Sequence, residues 1–336
     1  MDKQTIKDII AKGLAGQGNQ LDISGKLATV LDALTDATPM GTAKLTAKVY
    51  AYAVGDEGVE SDENGCSGVL YVKGFTANMQ KLETQEIPFT IAEGESDVEI
   101  EVDANIGDTI ALTAKIADKG ASCQIVTKVV SDVMVRLEVY PAGLYEIDSG
   151  AENLIPSAMA GNGSYEGVAI VTEDFAMAWP KSQRANYDQE YKRWGAAGQK
   201  TLAFTTDSAE VAKTDFDGAL NTEAIKAVIK DMNMAAYVGL GSQSWMLVNP
   251  FLPSAGMLRY LYEHKTEINA FIEAEETAYS DTFGKIPDLY CWSSTDYEND
   301  YAEFAWYVGL HNGNVGGNRR RGRDYAVAVS AFTTFY

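Results

Sequence analysis

The sequence predicts an α+β domain at the carboxy terminus, preceded by an all-β sandwich and a short helical amino-terminal arm. Three observations carry this. Apolar residues recur at helical spacing before residue 40, alternate with period two from 42 to 140, and fall into mixed helical and extended runs after 141.

The arm covers 1–40. Ile6, Ile9, Ile10 and Leu14 share one helical face, and after Gly16, Gly18 and Asp22 a second face follows from Leu27, Val30, Leu31 and Leu34. Two helices this short cannot bury their own stripes. They are expected to pack on the next domain, on copies of themselves or on a larger assembly, which makes the arm a docking or oligomerisation segment.

The sandwich covers 42–140. Leu45 to Tyr52 and Val98 to Val102 alternate strictly, and further runs over Gly68–Val72, Glu86–Ile91, Thr109–Ile116 and Val129–Tyr140 are separated by Gly and Asp clusters. About seven strands at these intervals suit an immunoglobulin-like module, although the Cys-Trp-Cys signature of antibody domains is absent. A sandwich in this position reads as a spacer.

Pro141 and Gly143 close that block, so the last domain spans 141–336. Leu220–Met234 predicts a helix with Ile225, Val228, Ile229 and Met232 on one face, and Ser254–Glu273 predicts a second. Short strands are expected at Gly167–Val171, Phe304–His311 and Tyr325–Phe332.

Composition sets limits on function. The chain has 336 residues, 46% of them hydrophobic, and a net charge of -21. So acidic a surface repels phosphate backbones, which argues against nucleic acid as a partner. No apolar run reaches the ~18–20 residues of a membrane span, and Asp2, Lys3 and Gln4 begin a polar stretch unlike a secretory signal. Cys66, Cys123 and Cys291 are too widely spaced for a metal pair or a disulfide framework, and read as free thiols, with a Cys66–Cys123 bridge as the alternative.

The carboxy-terminal stretch holds the densest chemistry. Seven aromatics lie between Tyr290 and Tyr307, of which Trp292 and Trp306 read as core and Tyr297, Tyr301 and Tyr307 as surface contacts. From His311 to Tyr325 only Val315 is a long aliphatic residue, so this run is expected to be an exposed loop or hairpin. It contains Arg319, Arg320, Arg321 and Arg323. From Lys285 to the end there are five basic and six acidic residues, a net of -1, so this face is the least acidic part of the molecule. Arginine forks suit carboxylate, phosphate or sulfate groups, or an acidic protein patch.

An enzyme finds no support. His264 and His311 have no nucleophile motif beside them, no GxSxG elbow occurs, and Gly239-Leu240-Gly241-Ser242 lacks the rest of a phosphate loop. Paired carboxylates such as Asp215 and Asp217 arise readily in an acidic chain. No catalytic residue and no cofactor are therefore expected.

One resemblance joins these pieces. Cys291-Trp292-Ser293-Ser294-Thr295-Asp296-Tyr297, Ala305-Trp306-Tyr307-Val308, Asn312-Gly313-Asn314-Val315 and Ala328-Val329-Ser330-Ala331-Phe332 occur in that order. Upstream come Gly143-Leu144-Tyr145, Asp215-Phe216-Asp217-Gly218 with Asn221-Thr222, Leu252-Pro253-Ser254 and Gly256-Met257-Leu258. The set, covering roughly 141–336, resembles the C-type-lectin-like variable proteins of Bacteroidetes phages, prophages and diversity-generating retroelements.

That resemblance implies a C-type-lectin-like fold whose last strands and loops carry a variable binding face. The expected contact residues are Tyr297, Asn299, Tyr301, Tyr307, His311 and Asn312, continued by Asn314, Asn318, Arg319, Arg320, Arg321, Arg323 and Tyr325. Every residue from His311 to Tyr325 is one that adenine randomisation of an asparagine codon can reach, which is compatible with diversification. The triplets of calcium-dependent sugar binding are missing, so no metal is assigned, and a structural calcium on Asp296, Glu298 and Asp300 stays open. The oxidases built on this scaffold use a pair of active-site cysteines that Cys291 alone does not supply.

The expected function is that of a non-catalytic receptor-binding protein of a phage or prophage tail, with a bacterial surface protein or glycan as ligand. Attachment to the tail, or self-association, would run through the arm, and a homotrimer is one arrangement that would give such heads avidity. The expected location is the virion, or the host cytoplasm before lysis. A bacterial surface adhesin exported by a non-standard route, and a structural tail or baseplate protein, are the alternatives.

Overall fold

The computed structural model describes residues 41–55, 58–148, 155–156, 167–180, 198–228, 250–276, 285–299, 301–320, 324–327 and 329–331. The arm expected over 1–40 lies outside them, as do Ile229 and Met232 of the first predicted helix.

The amino-terminal strands are β1 (Thr42–Gly55), β2 (Gly58–Ser61), β3 (Cys66–Phe75), β4 (Gln85–Ile91), β5 (Asp97–Asn105), β6 (Thr109–Ile116), β7 (Ile125–Lys128) and β8 (Val133–Val139). They form two four-stranded sheets. In one, β1 pairs with β2 and β5 antiparallel and with β8 parallel; the other runs β4-β3-β6-β7. The period-two pattern explains the layering. Leu45, Ala47 and Val49 of β1 and Ile100 and Val102 of β5 point inward against Leu70 and Val72 of β3 and Leu112 and Ala114 of β6. The run expected over Val129–Tyr140 is a strand only from Val133, and β7 precedes it unforeseen.

The carboxy-terminal part adds β9 (Gly143–Asp148), β10 (Ile155–Pro156), β11 (Gly167–Val171), β12 (Ala176–Pro180), β13 (Thr205–Thr206), α1 (Ala209–Ala212) and α2 (Gly218–Val228). Beyond these come β14 (Pro250–Phe251), α3 (Ala255–Glu263), α4 (Lys265–Glu276), β15 (Tyr290–Tyr297), β16 (Phe304–Gly309), β17 (Val315–Arg319) and β18 (Val329–Ser330). A six-stranded sheet runs β10-β9-β11-β12-β18-β14, and a four-stranded one β13-β15-β16-β17. The strand at Gly167–Val171 is as expected, and all five of its residues are buried. The single helix expected over Ser254–Glu273 is two, broken at His264. Among the described residues of the strand expected over Tyr325–Phe332, Val329–Ser330 are extended in a sheet and Tyr325 makes an isolated bridge to Cys291.

A buried turn organises this part. The Asp215 carboxylate accepts from Thr295 Oγ1 (2.6 Å), Asn221 Nδ2 (2.8 Å) and the Asp217 amide (3.0 Å), while its carbonyl accepts from Ser254 Oγ (2.6 Å) and the Gly256 amide (3.1 Å). One residue thus ties α2, α3 and β15 together. Burial, and then the charge of Asp217, push its carboxyl up to about 7.

The sandwich and the carboxy-terminal part share buried apolar residues. One hydrophobic cluster runs from Leu45 and Leu112 through Tyr140 to Ala169, Ile225 and Trp292. Gln124 crosses the junction, donating to Asp217 Oδ1 (2.9 Å) and accepting from the Leu220 amide (2.8 Å), and Lys73 pairs with Asp217 at 2.7 Å. A second cluster, centred on Trp179, Phe251, Leu258 and Trp306, belongs to the carboxy-terminal part alone. Among the described residues no helix is long and apolar enough to cross a membrane.

Candidate ligand-binding face

The carboxy-terminal hairpin carries six of the thirteen expected contact residues, Tyr307, His311, Asn312, Asn314, Asn318 and Arg319. Strands β16 and β17 pair antiparallel, Phe304 opposite Arg319 and Val308 opposite Val315. The turn between them is set by sequence: Asn312 Oδ1 accepts from the Asn314 amide (3.0 Å), and Gly313 adopts a φ of +69°, which glycine takes without strain.

Around this turn lies the first patch. The Tyr290 ring meets Tyr307 edge-on at 5.3 Å and His311 edge-on at 4.5 Å. Asn314 Nδ2 donates to the Tyr307 hydroxyl at 3.2 Å. His311, Asn312 and Asn314 are exposed, Tyr307 is half-buried, and Tyr290 is 39% exposed. Burial holds the Tyr307 hydroxyl above its ordinary range.

The second patch stands at the other end of the same strands. Asn299 Oδ1 accepts from the amides of Tyr301 and Glu303, both at 3.1 Å, and Ala302 takes a left-handed φ of +46° that non-glycine residues adopt at a cost. This braced turn leaves Tyr301 76% exposed. Arg319 is exposed nearby at the end of β17.

Other expected contact residues serve the scaffold. Arg320 is fully buried, its Nη2 on both oxygens of Asp296, its Nη1 on the Gln199 carbonyl (2.5 Å) and its Nε on the Phe304 carbonyl (3.1 Å). This overturns its placement on the contact surface. The arginine follows the last residue of β17 and turns inward onto Asp296, a carboxylate buried in β15 that balances its charge. Burial pushes the Asp296 carboxyl up, against the pull of Arg320 and of the Thr201 hydroxyl. Committed in this way, Asp296 is poorly placed for calcium, and no His, Cys, Asp or Glu cluster able to hold a metal occurs among the described residues. Asp300, Arg321 and Arg323 lie outside the described residues.

Tyr297 packs on Trp306 (4.7 Å) and Phe304 (5.8 Å), and Asn318 Nδ2 donates to Asp324 at 2.8 Å. The Tyr325 backbone pairs with β15 through Trp292 N (2.8 Å) and Tyr290 O (3.0 Å) while its half-buried ring joins the second cluster. Trp292 and Trp306 are core, as the sequence suggests. No disulfide joins Cys66, Cys123 or Cys291, and burial raises Cys291 far above the ordinary range.

Two participants escaped sequence reasoning. Tyr290 stands with the other aromatics but was not assigned to the contacts, although it joins Tyr307 to His311. Arg259 of α3 donates to the Gly313 carbonyl at 2.5 Å and lies 5.0 Å over the Tyr262 ring, so a helix supports the turn. The arginine's spacing in α3 carried no signal of this.

Chemically, the face offers exposed aromatic rings, amide side chains and one described arginine, and no activated nucleophile. No protein-family model, no curated protein and no solved structure matches the chain.

Proposed function

We propose that this chain is a non-catalytic receptor-binding protein whose carboxy-terminal domain is C-type-lectin-like and holds a bacterial surface protein or glycan on the face formed by Tyr290, Tyr301, Tyr307, His311, Asn312, Asn314 and Arg319. Tail attachment in a phage or prophage is the setting that the sequence resemblance suggests.

The observation that carries this reading is Tyr301. A large aromatic ring stands 76% exposed on a turn whose shape depends on two hydrogen bonds to Asn299 and a left-handed alanine. Such a turn fixes the backbone that carries the ring before any ligand arrives, and a tyrosine has few rotatable bonds to order on binding. The patch at Tyr290, Tyr307 and His311 has the same character, rings locked by one another and open to solvent.

The test is binding of the full chain to whole bacterial cells and to their extracted surface glycans and proteins. The Tyr301→Ala and Tyr290→Ala variants are compared with the parent. Binding that is lost in the folded variants supports the face. Absence of binding even when the chain is multimerised favours a structural tail or baseplate role.

A further inference from the structure

We propose that the cleft between the sandwich and the carboxy-terminal domain is a second binding site, for a neutral saccharide of one or two rings, separate from the terminal face. The cleft has a volume of about 480 Å³, well above the occasional water-sized void of a packed interior and within the range of small-molecule sites.

Its two walls come from different domains. Tyr71 and Lys73 of β3 and Lys115 of β6 form one; Asp174, Phe216 and Asp217 stand opposite. Two ion pairs span the gap, Lys73 to Asp217 at 2.7 Å and Lys115 to Asp174 at 2.8 Å. Each pair leaves hydrogen-bonding capacity unused, since an ammonium has three donors and a carboxylate about four acceptor sites.

The charge balance selects the ligand class. An anion entering here would have to displace Asp174 or Asp217 from its lysine, and a cation would have to displace a lysine. Asp215, deeper in the wall, is already held by three donors and is only 2% exposed, so a ligand in the cleft does not reach it. A neutral polyol displaces neither partner. One hydroxyl accepts from the ammonium while its neighbour donates to the carboxylate, so adjacent hydroxyls join an ion pair without breaking it.

The apolar side of the cleft matches the other half of a sugar. The Phe175 and Phe216 rings stack at 5.2 Å, and the Tyr71 ring lies beneath the Lys115 ammonium at 5.5 Å. Phe175 is buried, but the half-buried Phe216 and Tyr71 rings beside polar groups suit the C–H face of a pyranose, which is apolar while its rim is not. No residue lining the cleft lies in β15, β16 or β17, so the site stands or falls independently of the terminal face.

The test is saturation-transfer NMR on the full chain with glucose, galactose, mannose and N-acetylglucosamine and their disaccharides as probes. Sialic acid and glucosamine serve as anionic and cationic comparators. Tyr71→Ala removes a platform, and Thr113→Trp, on the cleft wall, fills the space. Transfer to at least one neutral sugar is expected, with affinity about tenfold weaker in Tyr71→Ala, a change of roughly 1.4 kcal/mol. Transfer should vanish in Thr113→Trp and stay unchanged in Val130→Ser, an exposed position outside both the cleft lining and the terminal face. If a cleft variant does not fold, Lys115→Met takes its place. The proposal is overturned by silence from every neutral probe, by preference for a charged comparator, or by transfer that survives Thr113→Trp.

Discussion

Arg320 and Asp296 form an ion pair sealed inside the carboxy-terminal domain: Nη2 reaches the two carboxylate oxygens at 2.5 and 2.6 Å, with the side chains 1% and 4% exposed. The same guanidinium holds the carbonyls of Gln199 and Phe304. It thereby pins the end of β15 to β16 and to the segment before β13, beneath the turn that displays Tyr301.

Removing one member of such a pair leaves a buried charge without its partner. Arg320→Ala is expected to destabilise the protein by about 3–5 kcal/mol. Arg319→Ala, one residue away and exposed, should stay within about 0.5 kcal/mol. Denaturant melts of the two variants check this, and equal stabilities would contradict the buried pairing.

Tyr301→Ala tests the opposite case. The ring contributes almost nothing to the core, so folding stability should change by no more than about 0.5 kcal/mol. A hot-spot aromatic, by contrast, costs about 2 kcal/mol or more of binding when truncated. Chemical denaturation beside a cell-binding titration separates the two, and a large loss of stability would reassign the ring to the fold.

Asp215 gives a pH dependence of definite sign. Its carboxyl sits at about 7 in the folded protein and near ~3.9 when unfolded. Between those values the folded state holds a proton that the unfolded state has released, so this group's contribution to stability falls as pH rises. Below about 4 the contribution is flat, and above about 7 the penalty, on the order of 4 kcal/mol, is complete. Urea melts of the parent and of Asp215→Asn from pH 4 to 8 isolate this part by difference. A difference that grows in the other direction would place the carboxyl in a charge-stabilising site.

Gly256 lies close to the same turn. A Cβ there would fall 2.5 Å from the Asp215 carbonyl oxygen and 2.7 Å from that of Lys213, both backbone atoms that cannot swing aside. Gly256→Ala should therefore push α3 off the turn and cost about 1–3 kcal/mol, despite alanine's better helix propensity. A variant as stable as the parent on thermal melting would show that the turn yields.

What was legible in the sequence follows from periodicity. Alternation in Leu45–Tyr52 and Val98–Val102 marked the sandwich strands because one face of the sheet is buried and the other is not. Val168 and Ile170 are buried on one face of β11 and Ala169 and Val171 on the other, and the run still reads as a strand because it is short and β-branched. The break between α3 and α4 was not legible, since the apolar spacing continues through His264 and only the chain direction changes. Arg320 was misplaced for a related reason. Four nearby arginines look alike by composition, and which one turns inward depends on an aspartate 24 positions away in sequence. The site's aromatics were recognisable as a group, but their division into core, brace and display depends on strand register.

Gln124 offers the sharpest test of how the two halves are joined. It is buried, and its amide both donates to Asp217 and accepts from the Leu220 amide at the start of α2. Gln124→Ala leaves that backbone N–H without an acceptor in the interior, at a cost of about 1–3 kcal/mol. The loss falls on the junction, because neither partner lies in the sandwich. With the shared hydrophobic cluster intact, the parent should unfold in one cooperative transition by calorimetry. The variant should broaden or split into two, the sandwich outlasting the carboxy-terminal domain. A single sharp transition shifted to lower temperature would mean that the continuous core, running from Leu112 to Trp292, couples the halves without help from the polar junction.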